Sequence, residues 1–349
     1  MSCRDGGYKK LLIHHGNART EGFGVNINAR TKVWVGPIPI EVGVVLYYRS
    51  LAGEGGHMSL GFVFKGAEGI VLAVDSRVTL MAQEKPPVPG APPVLVPATF
   101  DNAAKLLEIR NQKYVGAVTY GLGALGQGQH QPRTASSFLP EFESELEGLE
   151  KDSKGGPIRL PVADFAKRLG EFFMKQWKSS GMPDRLPPGQ DMAFLIGGYD
   201  EGEAYGRVFE IHIPNRPAPN ELLPGLGFGA AWGGQREITD RIIQGFDGQL
   251  PGMVQDILGV PPQQRNPALE NELKSRLTLH IPFPFLPLQD CVDLAIFFIK
   301  TTVTLQKWLV GVRGVGGMVE VATVTRMEGF RAIQRKKISG EDSPKEVRI

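Results

Sequence analysis

The sequence predicts an α+β fold, a four-layer αββα sandwich in which two sheets pack face to face and helices cover them from outside. Three observations carry that expectation. Short β-rich runs come in adjacent pairs, two amphipathic helices follow them, and a second block of strands and then helices completes the chain.

Residues 1–57 mix glycines, short apolar runs such as 39–48 and scattered charge without a clear period. They read as foreign to the domain: either a propeptide, or an upstream extension with Met58 as the real start. Regular patterning begins at Met58 and continues to about 330, which marks one domain over 58–330. Segments 59–65 and 69–75 are β-rich and apolar, and Gly66-Ala67-Glu68 between them is hairpin-loop chemistry. Next comes MAQEKPPVPGAPPVLVPATF, whose six prolines between 86 and 97 rule out a helix or a central strand. It is expected to be an insertion over 84–99. Residues 105–110 and 113–120 form another strand pair across Asn111-Gln112, ahead of a glycine-rich turn.

Two helices follow. One carries Phe138, Leu139, Phe142, Leu146 and Leu149 on a single face, the other Val162, Phe165, Leu169, Phe172 and Phe173. Strands are expected at 191–200 and 206–213, and a helix near Gln235. The Pro- and Gln-rich stretch 248–289 has no evident period and is taken as a second insertion. A helix over about 290–309 and a strand over 318–325 close the domain, and 331–349 is a charged tail expected to be disordered.

Composition excludes several classes. With 349 residues the chain buries enough apolar surface to be stable without covalent staples. Cys3 and Cys291 are its only cysteines, which suits a reducing cytoplasm better than a secreted scaffold. A net charge of +2 does not suit a nucleic-acid or anionic-membrane surface. The most apolar late stretch is interrupted by Asp293 and Lys300, so no membrane span is expected, and the first residues lack a signal-peptide core. His14, His15, His57, His130, His212 and His280 are scattered without ligand spacing, so no metal is expected. Gly121, Gly123 and Gly126 spell G-x-G-x-x-G. The QGQHQPRT that follows is no helix start, so a dinucleotide cofactor is not expected. Trp177, Trp232 and Trp308 read as core or interface aromatics.

A candidate site emerges from the first hairpin. If it is symmetric about Ala67, Lys65 faces Gly69, Phe64 faces Ile70 and Ser59 faces Asp75, with cross-strand Cβ atoms about 4.5–5.5 Å apart. Lys105 opens the third strand after the small residues Ala103 and Ala104, and its ammonium could reach Asp75. A serine hydroxyl needs a base, and a free α-amine with a pKa of about 8 can serve. A neighbouring Lys would depress that amine's pKa, and Asp75 would hold the Lys charged. The scheme requires Ser59 to be the first residue of the mature chain. Arg77 is expected to be a structural ion-pair partner.

These residues resemble a family, the proteasome β-subunits and HslV-type peptidases, which are N-terminal-nucleophile (Ntn) hydrolases. SLGFVFKGAEGIVLAVDSRVT is similar to their opening strand pair, NAAKLLEIRNQKYVGAVTYGLGAL to their lysine-bearing strand and glycine turn, and DMAFLIGGYD to a later strand ending in Gly-aromatic-Asp. The resemblance covers roughly 59–330. It implies that Ser59 stands for the nucleophilic Thr, Asp75 for the structural Asp and Lys105 for the catalytic Lys. It further implies that Thr79 binds substrate backbone, that Val78 and Val118 lie near an apolar specificity pocket, and that an oxyanion amide falls at Tyr120 or Gly121. Two departures stand out. Gly229-Ala230-Ala231 appears where the family has Gly-Ser-Gly, and Val312-Arg313-Gly314-Val315-Gly316-Gly317 lacks the family's Asp and Ser. The implied activity is peptide-bond hydrolysis without a cofactor, inside a homo-oligomeric ring acting on peptide or unfolded protein, with a possible ATPase partner. The rival expectation is a non-catalytic ring subunit serving as an assembly or binding scaffold.

Overall fold

The computed structural model describes residues 59–84, 94–127, 129–149, 158–187 and 189–338. The expectations for 1–57 and Met58, for 85–93 within the first insertion and for the tail beyond 338 lie outside the described residues. The chain is a mixed α+β fold built on antiparallel sheets.

Strands β1 (Leu60–Lys65) and β2 (Ile70–Val74) form the opening hairpin. Its register is Gly61↔Val74, Phe62↔Ala73, Phe64↔Val71 and Lys65↔Ile70, one residue away from the expected pairing. The cause is the loop. Gly66 N–H donates to Gly69 O at 2.9 Å, so only Ala67 and Glu68 form the tip instead of three residues. Symmetry therefore falls between two residues, and Leu60, not Ser59, lies across from Asp75: Asp75 N–H donates to Leu60 O at 3.3 Å.

β3 (Val78–Glu84) pairs with β4 (Val94–Phe100) in a separate two-stranded ribbon. Part of the expected proline-rich insertion is thus regular. Pro97 is tolerated because it sits on a ribbon edge, where its missing N–H breaks no central ladder. β5 (Leu106–Glu108) and β6 (Val115–Gly121) follow, turning through Asn111 at φ 63°. Helices α1 (Leu139–Glu147) and α2 (Val162–Ser179) bury the two apolar stripes expected of them, including Phe142, Phe165, Leu169, Phe172 and Phe173. Asp200 caps α2 from a distance, its Oδ1 accepting Val162 N–H at 2.7 Å.

β7 (Met192–Gly198), β8 (Arg207–Ile213), β9 (Arg216–Leu222) and β10 (Gly229–Gly234) come next, the last two without an evident signal in the sequence. Helix α3 (Glu237–Ile243) begins near the expected Gln235. The second expected insertion contains α4 (Leu250–Ile257) and α5 (Leu269–Leu277). Helix α6 (Leu288–Gln306) buries Cys291, Val292, Ala295, Phe298, Ile299 and Thr302 at helical spacing. β11 (Glu320–Thr325) is the expected closing strand, and β12 (Gly329–Gln334) pairs with it. The regular structure therefore passes 330, where the charged tail was expected to begin.

One five-stranded sheet has the order β10-β1-β2-β11-β12 and the other β5-β6-β7-β8-β9, every pairing antiparallel. Three apolar clusters accompany them. One joins α1 and α2 to the β5–β9 sheet through Phe142, Phe165, Phe173, Phe194 and Ile211. A second joins α6 to the β1 sheet through Phe62, Phe64, Ala295 and Phe298. The third brings side chains of both sheets together, among them Val63, Leu72, Val118, Tyr120 and Leu195. No helix among the described residues is long and apolar enough to cross a membrane.

Candidate active site

Asp75 follows the last residue of β2, and its carboxylate is filled on both oxygens. Oδ1 accepts Leu60 N–H at 3.0 Å and Lys105 Nζ at 2.9 Å, while Oδ2 accepts Arg77 N–H at 3.1 Å and Gly316 N–H at 3.0 Å. Three of these donors are backbone amides from separate stretches of chain, so the carboxylate's position is set by the fold itself. Lys105 Nζ also donates to Ser59 Oγ at 2.7 Å. The three side chains are buried, at 1% exposure for Ser59, 0% for Asp75 and 3% for Lys105. Burial lowers the Lys105 pKa, and the charge and hydrogen bond of Asp75 work against that fall.

Lys105 is held from its backbone as well. Glu320 Oε2, on β11, accepts both Lys105 N–H at 3.0 Å and Leu106 N–H at 3.1 Å. Glu320 is 3% exposed and ties the first sheet to the start of β5. The sequence offered only a polar residue in an apolar strand as a sign of this. Arg77 makes a two-pronged ion pair with Asp101, Nε at 2.5 Å and Nη2 at 2.8 Å, and Nη1 donates to Arg313 O at 3.1 Å. It thereby braces the glycine loop whose Gly316 reaches Asp75.

The turn that adjoins Ser59 lies at the end of β10. Gln235 N–H donates to Ser59 O at 2.7 Å, and Gly234, at φ 94°, has no room for a side chain because a Cβ would overlap Ser59 O. This moves one expected feature. Ala230 and Ala231 pair with Phe64 and Val63, well along β1 from Ser59, so 229–231 is not the turn beside Ser59. The expectation followed a local Gly-Ala-Ala string, whereas strand pairing places Gly233-Gly234-Gln235 there.

A small cleft beside Ser59 is lined by Val78, Ala103, Ala104, Lys105, Thr119 and Leu122, with Tyr120, Gly123, Thr134 and Ala135. Val78, expected near an apolar specificity pocket, lines this cleft. Val118 does not: it is fully buried in the cluster between the sheets. Successive strand residues point to opposite faces, and Thr119, the next residue along β6, lines the cleft. Thr119 Oγ1 has no hydrogen-bond partner among the described residues, and neither does Thr79 Oγ1; both are buried. Thr79 pairs with Thr99 across the ribbon and is not among the residues lining the cleft. Gly121, at φ 78°, turns toward Asp191, whose carbonyl occupies the place of its Cβ.

The G-x-G-x-x-G turn runs into an isolated bridge, Leu125↔Arg133, and not into a helix N-terminus. Among the described residues no cluster of His, Cys, Asp and Glu could hold a metal ion.

No family model matches the sequence, and no curated protein matches it. Among solved structures, that of a Gly-1 mutant of Anbu from Hyphomicrobium sp. strain MC1 is similar, with a TM-score of 0.42 and 16% identity over 81% of this chain and 88% of that one.

Proposed function

We propose that the chain is a divergent member of the proteasome β-subunit and HslV-type group of Ntn hydrolases, a peptide-bond hydrolase with Ser59 as its nucleophile. The observation that carries this reading is the lysine bridge, in which one buried ammonium contacts both Ser59 Oγ and Asp75 Oδ1. The three apolar clusters support the finer architecture, a four-layer αββα sandwich.

In this reading Ser59 Oγ attacks the scissile carbonyl carbon and its proton passes to the free α-amine of Ser59. Lys105 depresses the pKa of that amine, and Asp75 holds Lys105 in place. Backbone amides near Gly121, at the end of β6, stabilise the oxyanion. The C–N bond breaks, the leaving amine takes up the proton, and water then hydrolyses the ester. Val78 and Thr119 form the wall met by the substrate side chain. The same reading assigns a homo-oligomeric ring in the cytoplasm, acting on peptide or unfolded protein with an ATPase as possible partner. Exposed Phe285, Ile257, Trp308 and Val310 offer such a ring apolar surface to bury.

Intact mass and N-terminal sequencing of natively produced protein test the proposal. The expected mature chain begins at Ser59, and any other first residue sinks the mechanism. An epoxyketone, which needs both hydroxyl and free amine, should label the wild type and leave Ser59→Ala unlabelled. A second reading, a non-catalytic scaffold subunit, is favoured by the 1% exposure of Ser59. It expects residues 1–57 to remain attached and no labelling.

A further inference from the structure

Tyr120 is one of the two positions to which the resemblance assigns the oxyanion amide, and its side chain has a place of its own. Gly61 of β1 and Gly233 of β10 are cross-strand partners, and the ring lies in the slot they leave open. A Cβ on Gly233 would overlap the ring and hydroxyl of Tyr120, and one on Gly61 would come within 3.2 Å of its Cδ1. Both glycines flank the nucleophile: Gly61 is two residues beyond Ser59, and Gly233 precedes the Gly234-Gln235 turn that grips the Ser59 carbonyl. The position of this ring therefore bears on the strand end that carries Ser59.

The far end of the ring is held by charge. Tyr120 O–H donates to Glu210 Oε1 at 2.7 Å. Glu210 Oε2 is met by His212 Nε2 at 3.1 Å and by the Arg216 guanidinium, and His212 Nδ1 lies 2.9 Å from Asp191 Oδ2. Asp191 makes a second connection, since its backbone carbonyl accepts Leu122 N–H at 2.9 Å and so holds the turn that walls the cleft. Both imidazole nitrogens face carboxylate oxygens. A neutral ring donates through only one nitrogen, so this geometry is satisfied only by the doubly protonated cation.

We propose that His212, with Asp191 and Glu210, is a positioning unit for the Ser59 site: as a cation it holds Glu210, Glu210 holds the Tyr120 hydroxyl, and Tyr120 wedges the Gly61–Gly233 slot. The groups facing His212 are Asp191 before β7, Glu210 on β8, Arg216 on β9 and the Tyr120 ring on β6, whose plane meets the imidazole edge-on at 6.2 Å. Burial alone would lower the His212 pKa, but its hydrogen bonds and charge interactions with Asp191 and Glu210 raise it to about 9. Loss of the proton from Nε2 leaves Glu210 facing a lone pair, and Glu210 then holds Tyr120 with the aid of Arg216 alone. The kinetic consequence rests on the nucleophile reading above; the structural linkage does not.

The test follows the imidazole resonances of His212 and the backbone amides of Gly61 and Gly233 by NMR from pH 6 to 10.5, in the wild type and in Tyr120→Phe. This variant keeps the ring and cuts only the link to Glu210. The expected result is that both glycine amides follow the His212 titration in the wild type and cease to follow it in Tyr120→Phe. Amides that stay flat while His212 titrates, or that follow it equally in Tyr120→Phe, overturn the proposal. In the kinetic arm, Tyr120→Phe and His212→Gln should be labelled by an epoxyketone about tenfold more slowly at pH 7.5, and should lose the part of the alkaline limb that coincides with His212. A labelled wild type with unchanged rates and pH profiles in both variants also overturns it. A wild type that is not labelled at all removes the nucleophile reading, and the glycine amides then decide the linkage alone.

Discussion

The Lys105–Asp75 pair is a buried charge network and the His212–Glu210–Asp191 group a half-buried one, and they are held in different ways. Asp75 takes three of its four hydrogen bonds from the backbone amides of Leu60, Arg77 and Gly316. These donors carry no charge, do not titrate and are ordered by strand and loop placement, so no flexible side chain must be fixed to provide them. Glu210 is instead held by three side chains, Tyr120, His212 and Arg216, and one of them changes charge in an accessible pH range. The first network takes most of its geometry from backbone groups that do not titrate. The second makes the position of a neighbouring ring depend on a proton.

The contrast is broken most severely at Lys105. Lys105→Met strands the Asp75 carboxylate in a dry site with its amide donors but without its counter-charge, and is expected to cost about 3–5 kcal/mol. The urea midpoint measures this, and labelling of Ser59 should vanish with it. Gly233→Ala comes next. The added methyl overlaps Tyr120, and relief requires movement of a packed ring or of the strand, so a loss of about 2–3 kcal/mol is expected. Combining it with Tyr120→Leu should recover part of the loss, and simple additivity of the two changes would show that the slot is not what couples them.

A smaller effect separates the two networks by pH. The His212 pKa is raised from an ordinary 6.5 to about 9, so the stability it contributes is complete below about pH 6.5 and is lost as pH rises through about 9. Allowing for solvent screening of a partly exposed ring, the loss is about 1–2 kcal/mol, and His212→Gln should flatten that part of the stability profile. Glu210 acts at the opposite end. Burial opposes its charge, but His212, Tyr120 and Arg216 bring its pKa down to about 2, so its contribution is present above about pH 4.5 and disappears as pH falls toward 2. The smallest effect is expected at the exposed Lys175–Glu145 pair on α2 and α1. There Glu145→Gln should change stability by less than about 0.5 kcal/mol, since water screens the pair.

Much of the candidate site was legible because local rules suffice for it. Alternating and continuous apolar runs around a glycine loop specify a hairpin, and a hairpin brings its two ends together whatever the detail of its turn. Ser59 and Asp75 were therefore placed near each other despite a one-residue error in register. That error came from the loop, where the choice between two and three tip residues turns on the single Gly66–Gly69 hydrogen bond. The resemblance pointed to Val118, whereas Thr119 lines the cleft: which face of β6 meets the cleft depends on which sheet packs against it, and the string VGAVTYG carries no such mark.

By itself the sequence determined the α+β class, the amphipathic helices α1 and α2, the helix α6 and the first hairpin, which brings Ser59 and Asp75 to one end. All of these rest on periodicity and turn chemistry, which act over a few residues. Only the tertiary structure decided what surrounds them. Gly316 lies 241 residues from Asp75, Glu320 lies 215 from Lys105, and Glu210 lies 90 from Tyr120. A backbone amide has no residue-specific signature, and a buried Glu or Tyr looks like any other until strand order supplies its partner. The physical reason is that these contacts are made by sheet topology, which joins segments whose separation along the chain leaves no pattern to read.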